Sequence, residues 1–64
     1  MKSVYTYRSN KEPNICISFE LDDKEENDNL RDAKALIFLG DVILKDYDKA
    51  RDNFYQDDVV EFKN

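Results

Sequence analysis

The stretch Asn29–Leu44, NLRDAKALIFLGDVIL, is the one run in this chain with enough apolar side chain to anchor a core, and its spacing is that of a helix. At about 100° per residue, Ala33, Leu36, Ile37, Leu39, Gly40, Ile43 and Leu44 fall on one broad face. The same phase carries on through Tyr47, Ala50, Phe54 and Tyr55, while Lys34, Asp41, Lys45, Asp48, Lys49, Asp52 and Gln56 line the opposite flank. The pattern predicts either one helix over about residues 29–56 or a helix broken near Asp46, whose carboxylate falls in the apolar sector. An unbroken rod would run about 40 Å at ~1.5 Å per residue, against about 23 Å for a seven-residue strand, and would overhang its sheet.

Strand patterns precede it. Ser3–Ser9 alternates, with Tyr5 and Tyr7 on one side and Val4, Thr6 and Arg8 on the other. Residues 10–14, NKEPN, gather turn formers, and Pro13 has no amide hydrogen for a ladder. Ile15–Leu21 alternates more clearly, with Ile15, Ile17, Phe19 and Leu21 facing one way and Cys16, Ser18 and Glu20 the other. A polar connector follows, with Asp28 or Asn29 placed to cap the helix. Asp57 and Asp58 are expected to end the helix, and residues 59–62, VVEF, have strand character and either add a short third strand or pack as a tail. The expectation is a single α+β domain over residues 1–64, an antiparallel β-hairpin packed on one long or broken α-helix.

Two positions on the helix carry further expectations. Gly40 lies on its buried face, where glycine costs about 1 kcal/mol against alanine, and close approach of a strand or second helix is the compensation expected. Ala35, Phe38 and Val42 form a smaller apolar stripe on the other side of the rod. If the sheet takes the broader face, Phe38 and Val42 are a partner or dimer contact unless a final strand or the chain end covers them.

At 64 residues the domain is small enough for its stability to be marginal without help. Cys16 is the one cysteine and there is no histidine, so neither an internal disulfide nor a zinc site is expected. Oligomerisation or a protein partner remains. No apolar run approaches the roughly 18 residues of a membrane span, and the first ten residues lack the apolar core of a signal peptide. The expected place is the cytoplasm of the cell that makes it.

Enzyme chemistry finds no purchase, and no cofactor is expected. Without histidine there is no imidazole base, and Gly40, the one glycine, leaves no glycine turn to present a nucleophile. Fifteen acidic residues produce carboxylate pairs by chance alone. The connector Asp22–Asn29 holds Asp22, Asp23, Glu25, Glu26 and Asp28, but either calcium-loop register puts Lys24 or Asp28 where a ligand or a glycine is required. A net charge of −5 repels nucleic acid and anionic membrane and attracts basic protein surfaces.

Two resemblances bear on these residues. Residues 36–54, LIFLGDVILKDYDKARDNF, resemble a tetratricopeptide repeat: Leu36, Leu39, Gly40 and Ile43 match its first helix, and Asp46, Tyr47, Ala50 and Phe54 its second. About two residues, including the usual turn glycine, are missing between Lys45 and Asp46, and one repeat is present where arrays need about three. The resemblance implies a helix–turn–helix break near Asp46. In size and composition the chain also resembles the small acidic inhibitors of phages and mobile elements, including anti-CRISPR proteins and other DNA mimics.

That second resemblance implies a phage-encoded inhibitor acting in a bacterial cytoplasm, whose carboxylates occupy the basic channel of a nucleic-acid-handling protein such as a CRISPR-Cas effector. The acids it points to are Asp22, Asp23, Glu25, Glu26 and Asp28 in the connector and Asp41, Asp48 and Asp52 along the helix, where Lys34, Lys45 and Lys49 interrupt them. The rival expectation is a small structural or assembly protein that homodimerises through Phe38 and Val42 and inhibits nothing.

Overall fold

The computed structural model describes residues 2–22 and 27–62. Strands β1 (Lys2–Ser9) and β2 (Cys16–Asp22) form the antiparallel hairpin, with Lys2 opposite Asp22, Tyr5 opposite Phe19 and Arg8 opposite Cys16. The Ser9 amide donates to the Ile15 carbonyl at 3.0 Å, while its hydroxyl accepts from the Lys11 and Glu12 amides at 3.2 and 3.1 Å. This local bonding satisfies the turn and explains a buried serine at a strand end.

Helix α1 (Asp28–Ile37) starts one residue earlier than expected, because Asn27 is its cap: its side-chain oxygen accepts from the amides of Asn29 and Leu30 at 2.9 and 3.3 Å. The helix continues over Phe38–Ile43 with wider π-helical turns, the Leu44 amide reaching five residues back to the Leu39 carbonyl at 2.9 Å. Lys45 then takes a left-handed conformation, φ 55°, and Asp46 opens helix α2 (Tyr47–Asn53) by accepting from the Lys49 amide at 3.1 Å. The break at Asp46 has this physical cause: its carboxylate faces a helix start, where an apolar sector would strand it. The missing turn glycine is replaced by Lys45.

Helix α2 is shorter than the periodicity predicts. Phe54, Tyr55 and Gln56 belong to strand β3 (Phe54–Phe62), and Asp57 and Asp58 lie within that strand where they were expected to end a helix. Phe54 is in phase with both readings, and pairing to the free edge of β1 decides between them. β3 runs antiparallel to β1, so the sheet order is β2-β1-β3 and the first strand is central. A register shift between Thr6 and Tyr7 leaves Asp57 as the extra residue of a bulge. Its carboxylate accepts from the Arg8 Nε at 3.2 Å.

The helices cover one face of this sheet. The core is Tyr5, Tyr7, Ala35, Leu39, Ala50 and Phe54, with Leu39 the one large side chain fully enclosed among the described residues. Phe19 stacks on Tyr5 and Tyr7 at 5.8 Å each and meets Phe38 at 5.1 Å. The covered side of the helix therefore holds Leu36, Leu39, Gly40 and Leu44 of the expected broad face together with Ala35 and Phe38 of the smaller stripe, while Ala33, Ile37 and Ile43 are exposed. The covered face is thus the expected one turned toward Ala35 and Phe38, not its opposite. The wider turns after Ile37 advance each residue by less than an α-helix does, which rotates the later side chains away from a fixed 100° phase. Phe38 is thus largely an internal contact, whereas Val42 is 56% exposed. Gly40 finds the close neighbour expected of it in Tyr47, the first residue of α2.

Candidate protein-binding surface

The sequence-derived acids separate into three places. Asp48 and Asp52 sit on α2 with Arg51 between them: its Nη2 is 3.4 Å from Asp48 Oδ1 and its Nε is 2.9 Å from Asp52 Oδ1. The hydrogen bond from Arg51 holds the Asp52 carboxyl below its ordinary range. Arg51 thus offsets much of the field this pair would present to a partner.

Asp28, at the start of α1, pairs with Arg31 one turn later. Arg31 is the best enclosed of the charged side chains in these pairs, 13% exposed, and its Nη1 reaches Glu61 Oε1 of β3 at 3.0 Å. Beside it, Gln56 Nε2 donates to Asp32 Oδ1 at 3.3 Å and to the Tyr7 hydroxyl at 3.4 Å. This network ties α1 to β3. The spacing of Asp28 and Arg31 is legible in the sequence, but Glu61 and Gln56 join only through the unexpected strand.

Asp22 and Asp41 come together at the third place. Both line an open groove of about 360 Å³ whose apolar wall is Leu21, Ile37, Phe38 and Val42, with Lys34 on the same rim. Asp22 ends β2 and Asp28 begins α1, so both anchors of the acidic connector are fixed by regular structure. Asp23, Glu25 and Glu26 lie outside the described residues. Lys34 interrupts the acids here, as the helix pattern indicates.

Among the described residues, no cluster of three carboxylate, thiol or imidazole groups is arranged to hold a metal ion, and no helix is long and apolar enough to cross a membrane. Neither a family model, nor a curated protein, nor a solved structure matches the chain.

Proposed function

We propose that the chain is a small acidic protein-binding module that inhibits a basic nucleic-acid-handling protein by occupying the surface that protein offers to phosphates. The observation that carries this reading is the meeting of Asp22 and Asp41 on one groove at the root of the acidic connector. The five acids from Asp22 to Asp28, with one lysine among them, form the densest negative segment of the chain. Lysine- and arginine-rich channels attract such a body over about 8–10 Å at moderate salt. Of the remaining acids in this reading, Asp48 and Asp52 are engaged by Arg51 and Asp28 by Arg31.

The test is capture from a bacterial lysate at low and high salt, followed by identification of what is held. A nucleic-acid-binding protein retained at low salt, released at high salt, and lost when Asp22, Asp23, Glu25 and Glu26 are replaced by lysine supports the reading. Capture that is unchanged by those four replacements removes the connector from the function.

A further inference from the structure

We infer that β2 is a self-pairing edge, and that two copies of this chain join through it into a six-stranded antiparallel sheet with all helices on one side. This goes beyond the inhibitory reading and does not depend on it, and the second copy competes with an inhibited partner for the groove beside Leu21. β2 is an outer strand of the sheet and, among the described residues, its far edge has no ladder partner. The other edge strand, β3, is blunted by its bulge and by Asp57 and Asp58. β2 has neither bulge nor proline, and its charges, Glu20 and Asp22, stand toward one end.

The sequence of β2, CISFELD, is complementary to itself when two copies run antiparallel about Phe19. Ile17 then faces Leu21 of the second copy and Phe19 faces Phe19 on the helix side. On the other side Ser18 faces Glu20, and Cys16 faces Asp22. Every acid stands opposite a neutral residue. Sliding the register by two residues toward the C-terminus would oppose Glu20 to Glu20, which like-charge repulsion disfavours. Sliding it the other way would pair only residues 16–20 of the strand with one another and set Asp22 beyond its start, opposite Asn14.

The apolar side chains left half-covered along this seam also match. The groove beside Leu21 lies at one end of β2, and a second recess of about 230 Å³, lined by Ile15, Ile17 and Leu44, lies at the other. Two-fold pairing brings the two apolar recesses to face each other and leaves Ile15, Ile37 and Val42, which are 44%, 48% and 56% exposed, beside the seam. The contact strip is about 24 Å long for seven residues. With a depth near the molecule's shorter extents of 20 and 17 Å, it buries on the order of 400–500 Å² per copy, close to the ~1,000 Å² total at which specific interfaces begin. A dimer that dissociates on dilution is the consequence.

The native thiol gives the test. Directly opposed residues of antiparallel strands have Cα atoms about 4.5–5.5 Å apart, within disulfide range. Asp22→Cys, checked for unchanged circular dichroism, is incubated with oxidised glutathione beside the wild-type chain and Glu20→Cys. A disulfide-linked dimer from Asp22→Cys alone is expected. A dimer linked through Glu20→Cys instead overturns the Phe19-centred register. Amide exchange of the wild-type chain needs no variant: outward-facing amides of β2 should exchange at least roughly tenfold more slowly at high than at low protein concentration. A monomer at every concentration, or β2 amides protected only by a different protein, overturns the self-pairing.

Discussion

A Cβ built on Gly40 would stand 2.7 Å from the Cα of Tyr47, so α2 begins in direct backbone contact with the π-helical segment. This approach explains the lone glycine of the chain, and it folds α2 back so that Ala50 reaches the core. Gly40→Ala gains about 1 kcal/mol of helix propensity. Displacing the Tyr47 backbone costs about 1–3 kcal/mol, as overpacking does. A net loss of stability is expected in urea denaturation, and a gain would contradict the contact.

Lys45 is the opposite case. Its φ of 55° is a conformation that glycine adopts without a steric penalty and that costs other L-residues about 1–2 kcal/mol. Lys45→Gly should raise stability by about 1 kcal/mol in the same measurement, offset in part by the greater freedom of glycine in the unfolded chain. A loss of stability would show that the lysine side chain contributes more than its backbone costs.

Leu39 is fully enclosed in a core of six side chains. Removing a buried leucine costs about 2–5 kcal/mol, comparable with the roughly 3–5 kcal/mol that a core of this size supplies. Leu39→Ala should therefore abolish the cooperative thermal transition at room temperature and above. A variant melting within a few degrees of the wild type would contradict the described core.

Burial raises the pKa of the Tyr7 hydroxyl, which Gln56 contacts, above its ordinary value of 10. The neutral phenol is favoured in the folded state, so its contribution to stability is whole below about pH 10. It is lost as pH rises from there through the folded pKa, because the unfolded chain releases the proton first. Stability at about pH 11 should fall less for Tyr7→Phe than for the wild type, each measured against its own value at pH 8. Equal losses would place the alkaline sensitivity elsewhere.

The sequence carried the hairpin plainly, because Tyr5, Tyr7, Ile17, Phe19 and Leu21 repeat at a period of two and the sheet has one covered face. The break at Asp46 was legible from a carboxylate in an apolar sector. The length of β3 was not: Phe54 and Tyr55 suit a helix by phase, and only the vacant edge of β1, a tertiary fact, draws them into a strand. The choice between Ala35 and Ile37 as the inward side was equally hidden, since the wide helical turns that follow are not represented by a fixed 100° step. Of the candidate contact, the connector acids come from composition alone, and Asp23, Glu25 and Glu26 lie outside the described residues. The pairing of Arg51 with Asp48 and Asp52 is local, at spacings of three residues and one, yet the acidic face drawn from the sequence leaves Arg51 out.

The most direct measurement is competition. The protein captured by the wild-type chain is loaded with labelled nucleic acid, and the label's release is followed as this chain is added at low salt. Release by the wild type, together with at least about a tenfold weaker effect after lysine replaces Asp22, Asp23, Glu25 and Glu26, is the predicted result. Capture of that protein with its nucleic acid still bound, or equal release by the charge-reversed chain, would contradict an inhibitor acting through its acidic connector.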